Sequence, residues 1–136
     1  MSARSFLPSA FPLIQAPMAG SGGVALARAV CRAGGLGSLP AAMLTPDQLQ
    51  AQAAELRAAT NAPFNLNFFC HAPPQADAAA EGRWRDLLAG YYREFGLAPA
   101  AVPTGAARAP FDYIFCSVVE EIRPAVVSFQ IGRAHV

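Results

Sequence analysis

Asn65 and Asn67, His71 a few residues further on, and a loop opening at Pro17 and Met18 are the parts of this chain whose residue types and spacing could do chemistry. Two asparagines at positions i and i+2 share one side of an extended strand. Each amide both donates and accepts, and the segment holding them, Phe64 to Phe69, is otherwise apolar. A polar group on a buried strand must find a partner. Asn65, nearer the strand's start, suits a structural hydrogen bond, and its role stays open; Asn67 lies towards the far end. His71 follows Cys70 just past that end. Cys31, Cys70 and Cys116 are an odd count without metal spacing, each in an apolar pattern, and are read as buried free thiols, with no metal site.

The loop is informative for a different reason. The apolar run Leu13 to Ala16 reads as a strand that Pro17 ends. Met18 and a stretch of small residues, Ala19 to Gly23, then lead into a helical pattern. Backbone amides with little else around them, above a strand's carboxyl end, are how an α/β protein receives a flat cofactor or a phosphate. Gly20 to Ala25 also satisfies G-x-G-x-x-A, the dinucleotide fingerprint. Against that reading, Pro17-Met18 separates the strand from the glycines, and Gly37 to Ala42 holds no acidic residue for a ribose.

The elements that must position these residues repeat one unit. Leu13 to Ala16, Gly37 to Leu39, Phe64 to Phe69 and Ala125 to Phe129 suit buried parallel strands, and amphipathic helical segments alternate with them. The first helix is expected from about Gly23 to Ala33, with Val24, Leu26, Ala27, Val30 and Cys31 on its apolar face and Gly34-Gly35 as its stop. The second opens with Thr45 as N-cap, Pro46 at the first helical position and Gln48 completing a capping box, with Leu44 and Leu49 as a hydrophobic staple. Its apolar face is Leu49, Ala53 and Leu56, ending near Asn61. A third helix, from about Gln75 to Phe95, places Trp84, Leu87, Leu88, Tyr91 and Phe95 at helical spacing, and these are read as core. Leu97 to Pro110 reads as a loop; Phe111, Phe115, Val118, Val119 and Ile122 form a fourth helical face, and Pro124 separates it from the last strand.

Composition narrows the function classes. Nine acidic residues face ten basic ones, all arginine, and no basic stripe is available to track a phosphate backbone, so nucleic acid is not indicated. No apolar run approaches the roughly 18 residues of a membrane helix, and the amino terminus, broken by Pro8 and Pro12, does not read as a secretory signal. A soluble, cytoplasmic protein is the expectation.

Three blocks then carry a family resemblance: Pro-Leu-Ile-Gln-Ala-Pro-Met-Ala-Gly at Pro12 to Gly20, Ala-Gly-Gly-Leu-Gly-Ser at Ala33 to Ser38, and Pro-Phe-Asn-Leu-Asn-Phe-Phe at Pro63 to Phe69. In order and spacing they resemble the opening of nitronate monooxygenases, formerly called 2-nitropropane dioxygenases. The likeness runs from Phe11 to Phe129, is weakest across Leu97 to Pro110, and is shared in part with FMN-dependent enoyl-reductases of fatty-acid synthesis. It implies a TIM barrel that binds FMN and oxidises alkyl nitronates with dioxygen to a carbonyl compound and nitrite. It also implies that the backbone of Pro17 and Met18 faces the isoalloxazine, that the Asn67 amide bonds the pyrimidine edge, and that His71 sits at the catalytic end of the barrel, where it would line a substrate pocket without being the base. The family's histidine base and its phosphate-binding glycines have no match among these residues.

Four βα repeats in 136 residues fill about half of a closed eight-stranded barrel of about 250 residues. The fold expectation is therefore the N-terminal half of a TIM (β/α)8 barrel, truncated after about the fourth strand. Residues 1–129 would be an incomplete FMN-binding domain, inactive by itself. Residues 130–136 would be a non-native tail, since Ile131 to Val136 is what the adapter sequence ATC GGA AGA GCA CAC GTC encodes. The parent protein is expected to be a nitronate monooxygenase whose partners are a small nitronate and dioxygen. The alternatives are an enoyl-reductase-like enzyme or a non-catalytic fragment with an exposed sheet edge.

Overall fold

The computed structural model describes residues 7–72, 77–97 and 110–130. The chain divides into two units, residues 1–72 with 108–136, and residues 73–107.

The first unit is built on three parallel strands, β1 (Gly37–Pro40), β2 (Phe64–Phe69) and β3 (Val126–Gln130), hydrogen-bonded in the order β1-β2-β3. Ser38 pairs with Asn65, and Asn67 with Ser128. The segment expected as a first strand touches the sheet at one parallel bridge, Ile14 to Leu36, beside β1. Two backbone bonds hold it, Gln15 N to Leu36 O at 3.0 Å and Leu36 N to Leu13 O at 2.8 Å. In a parallel ladder the next pair would join Ser38 N to Gln15 O and the amide of residue 17 to Ser38 O. Residue 17 is proline and has no N–H to give. The Gln15 side chain takes over both bonds: Ser38 N donates to Oε1 at 3.0 Å, and Nε2 donates to Ser38 O at 3.1 Å. The expected four-strand reading is thus corrected to three strands and a side-chain splice, and Pro17 is the physical reason.

The order settles the dinucleotide alternative. In a doubly wound nucleotide-binding sheet the fourth strand returns to pair with the first. Here the Leu13–Ala16 segment, β1, β2 and β3 lie in chain order, each beside its predecessor.

One face of the sheet carries the core. Leu39, Phe64, Leu66 and Phe68 are buried with residues of three helices, α1 (Val24–Arg32), α2 (Pro46–Ala59) and a further helix, Tyr113–Ile122. Helix α1 contributes Val24, Ala27 and Cys31, whereas Leu26, expected on this face, is 41% exposed. At its end Gly34 takes a φ of 90°, a turn conformation that side chains with a Cβ rarely adopt. Gly37 lets β1 run against α1, for a Cβ there would clash with the carbonyl of Ala27 and lie 2.6 Å from the Cys31 sulfur.

Helix α2 begins as the sequence predicts. Gln48 N donates to Thr45 Oγ1 at 3.3 Å and Thr45 N to Gln48 Oε1 at 2.9 Å, a complete capping box, and Leu49, Ala53 and Leu56 are buried. The helix stops at Ala59, with Thr60 as its C-cap. From its last turn Arg57 donates to the carbonyls of Ile122 and Arg123 and lies over the Phe64 ring at 5.5 Å, tying α2 to the end of Tyr113–Ile122. Asp112 caps the start of that segment by accepting from Phe115 N at 2.9 Å. Of the five residues expected on its face, Phe115, Val118 and Ile122 are buried, Val119 is partly buried against the core, and Phe111 lies before the helix starts.

The second unit holds α3 (Ala78–Glu94), capped by Asp77; with α3 numbered, Tyr113–Ile122 is α4. The expectation that Trp84, Leu87, Tyr91 and Phe95 are core is overturned, for they are 62 to 70% exposed and α3 buries no residue. Helical spacing fixes which residues share a stripe but says nothing of what covers it. The cysteine expectation is corrected in part: all three are free and Cys31 is buried, but Cys70 and Cys116 are exposed. Cys70 lies one residue past β2, and Cys116 sits off the stripe of Phe115, Val118 and Ile122.

Gln75, the expected start of the third helix, most of the loop expected at Leu97 to Pro110, and Ile131 to Val136 lie outside the described residues; Gln130 ends β3. Among the described residues no helix is long and apolar enough to cross a membrane, and no cluster of side chains is fit to hold a metal ion.

Candidate functional site

Strand alternation sends the side chains of β1, β2 and β3 to two faces of opposite character. On the face away from the core, four polar side chains, Ser38, Asn65, Asn67 and Ser128, are linked by hydrogen bonds, and Gln15 joins them at the sheet edge through the backbone of Ser38. Ser38, Asn65 and Asn67 are at most 2% exposed, and Gln15 7%. Asn65 Nδ2 donates to Ser38 Oγ at 3.1 Å and to Ser128 Oγ at 2.9 Å. Asn67 Nδ2 donates to Ser128 Oγ at 2.9 Å and lies 3.3 Å from Ser128 O. Ser38 in turn is held by Gln15 through the splice described above. So many polar groups on one buried face give up hydrophobic stabilisation, and each must be matched to avoid a desolvation cost. Asn65 Oδ1 is buried without a hydrogen-bond partner.

A cavity of about 190 Å³ opens against this face, with Ile14, Pro17, Asn65, Asn67, Val126 and Ser128 among its walls. Its volume is below the roughly 300 Å³ at which ordinary ligand pockets begin, so it has room for one edge of a ring system and not for a whole cofactor. Two larger hollows, of about 480 and 300 Å³, sit around Arg57 and Arg123. They lie towards the amino ends of β2 and β3, the end of a parallel α/β sheet that serves stability, and Arg57 is already committed there to helix carbonyls.

Of the residues singled out from the sequence, Pro17 and Asn67 come together as walls of the smaller cavity. Met18 is next in the chain and 51% exposed; its carbonyl is turned into the following turn, accepting from Ser21 N at 3.1 Å and Gly22 N at 2.7 Å. His71 sits two residues past β2, its ring 6.0 Å from Phe69 and its Nδ1 buried without a partner, and it is not among the cavity's walls. Asn65 does make structural bonds, as expected, yet it also faces the cavity. Gln15, Ser38 and Ser128 were missed. The signal that singled out the asparagines, a polar residue inside an apolar strand, is present at all three.

A parallel α/β sheet, with helices on one face and on the other a small cavity whose apolar walls carry a few polar side chains, is the class that fold and site define. A family profile for nitronate monooxygenase matches residues 2–136. The chain belongs to that family. It is 45% identical over 122 residues to a nitronate monooxygenase of Paraburkholderia phytofirmans, covering 89% of this chain and 33% of that protein. With a nitronate monooxygenase of Pseudomonas aeruginosa it shares 41% identity over 130 residues, covering 89% of this chain and 35% of that protein. The chain thus spans about a third of the length of the curated relatives it matches. Among solved structures, the nitroalkane oxidase of Streptomyces ansochromogenes superposes with a TM-score of 0.73 at 34% identity, over 92% of this chain and 35% of that one. FabK from Thermotoga maritima does so with a TM-score of 0.58 at 25% identity, over 91% of this chain and 28% of that one.

Proposed function

We propose that these residues form the flavin-facing part of an FMN-dependent oxidoreductase that oxidises alkyl nitronates with dioxygen, the whole barrel being completed by further strands. Family membership supports the reaction class, and the observation that carries the site is the cavity shared by Pro17, Asn65, Asn67 and Ser128. An orphaned buried acceptor beside a committed amide fits the edge of a flat heterocycle that carries both N–H and carbonyl groups. When bound, the flavin supplies the electron transfer and oxygen chemistry. The chain's own residues bind and orient: Asn67 meets the pyrimidine edge, Pro17 and Met18 flank the ring, and His71, past the end of β2, borders the substrate.

Residues 1–129 are read as the incomplete flavin domain and 130–136 as a non-native tail. On this reading the chain alone holds the ring through neutral hydrogen bonds, without a phosphate anchor, and has no base to deprotonate a nitroalkane. The enoyl-reductase reading draws support from the FabK likeness and would require NAD(P)H oxidation.

Titrating the purified chain with lumiflavin, riboflavin and FMN, followed by flavin fluorescence and induced visible circular dichroism, tests the proposal. The expected result is saturable binding with similar affinity for all three, and no oxygen uptake with propyl nitronate. A chain that perturbs none of the three flavins has no flavin site. A chain that consumes oxygen with propyl nitronate is catalytically competent by itself, which the reading denies.

A further inference from the structure

Ser128 is the point where the two asparagines meet. Its Oγ accepts from Asn65 Nδ2 and from Asn67 Nδ2, each at 2.9 Å. A serine hydroxyl has two lone pairs and one proton, so an oxygen that already receives two N–H bonds has only its O–H left to offer. Among the described residues that O–H meets no acceptor, and the buried acceptor nearby that lacks a partner, Asn65 Oδ1, does not receive it. Ser128 is part of the cavity wall.

We propose that Ser128 is a dedicated hydrogen-bond donor of the cavity, its O–H bonding a carbonyl oxygen on the heterocyclic ring that enters. The inference rests on the flavin reading above and sharpens it. Since the Asn67 amide nitrogen is engaged by Ser128, what Asn67 presents to a ligand is its carbonyl oxygen. The donor for a ring carbonyl must then come from elsewhere, and Ser128 supplies it. Two N–H groups bonded to Oγ polarise the hydroxyl and strengthen it as a donor. Asn65 is a positioning residue in this arrangement: it fixes the direction of the hydroxyl.

The test pairs ring analogues with substitutions. Dissociation constants of lumiflavin and of its 2-thio and 4-thio analogues, whose C=S groups accept hydrogen bonds poorly, are measured on the chain as it stands, on Ser128→Ala and on Ser128→Thr. The unaltered chain should prefer lumiflavin to one of the two thio analogues by about tenfold, the worth of one neutral hydrogen bond. Ser128→Ala should bind all three alike, and Ser128→Thr, which keeps a hydroxyl on the strand, should restore the preference. Comparing analogues on the unaltered chain needs no variant to fold. Lumiflavin bound with no preference over either thio analogue, or a preference that survives in Ser128→Ala, overturns the role of Ser128 and leaves the flavin site standing. If the unaltered chain binds no lumiflavin, the flavin site itself falls, and the inference with it.

Discussion

Replacing Gln15 with leucine should destabilise the first unit by about 2 to 4 kcal/mol, because Gln15 substitutes for a ladder that Pro17 cannot make. Ser38 is fully buried, and both its N–H and its C=O are bonded to the Gln15 amide. Leucine removes both bonds at nearly constant volume and leaves a buried donor without a partner, at a cost of roughly 1 to 3 kcal/mol. The orphaned carbonyl adds about another 1 kcal/mol. Urea denaturation followed by far-ultraviolet circular dichroism reads the effect. With a slope of about 2 kcal/mol per molar urea, the midpoint should fall by about 1 to 2 M at unchanged slope. A second variant tests the cause. In Pro17→Ala the backbone regains an N–H in register with Ser38 O, so Gln15→Leu should cost at least about 1 kcal/mol less there than with Pro17 in place. A Gln15→Leu penalty below about 0.5 kcal/mol, the range of an ordinary surface change, would refute the reasoning, as would equal penalties in the two backgrounds.

Thr45→Ala should cost about 1 kcal/mol through loss of the capping box at the start of α2; a midpoint unchanged within error would show that the cap contributes nothing. Gly37→Ala should be far worse, since the added methyl meets the Ala27 carbonyl and the Cys31 sulfur, and loss of cooperative unfolding or a penalty above about 2 kcal/mol is expected. Under native conditions Ellman's reagent should label Cys70 and Cys116 quickly and Cys31 only at the rate of unfolding; three thiols reacting at one rate would contradict the burial of Cys31.

How much of the fold was legible depended on whether a residue's neighbours in space were also its neighbours in sequence. The start of α2 was fully legible because every partner in it, Thr45, Gln48, Leu44 and Leu49, lies within a few positions. The order of the strands followed from their apolar runs and the helices between them. The environment of α3 was not legible: its stripe has the spacing of a core face, yet Trp84, Leu87, Tyr91 and Phe95 are exposed. A periodic pattern reports a face, and burial depends on what lies opposite.

The site was half legible for a related reason. Asn65 and Asn67 stood out because two polar residues interrupt one apolar strand. Gln15, Ser38 and Ser128 each stand alone in separate segments, 23 to 63 residues from their partners. In isolation each has an ordinary explanation, a polar residue near a strand end or a small residue at a turn. Only the parallel register, which sets Ser38 beside Asn65 and Asn67 beside Ser128, makes them one network. That register is itself set by the apolar face, since a slip of one residue would turn Leu66 and Phe68 out of the core and Asn65 and Asn67 into it. The packing that buries the leucines therefore also aligns the amides. A ligand arriving at the cavity meets hydrogen-bonding groups held in place by the stability of the opposite face, so core substitutions at Leu66 or Phe68 should loosen ring binding as well as folding.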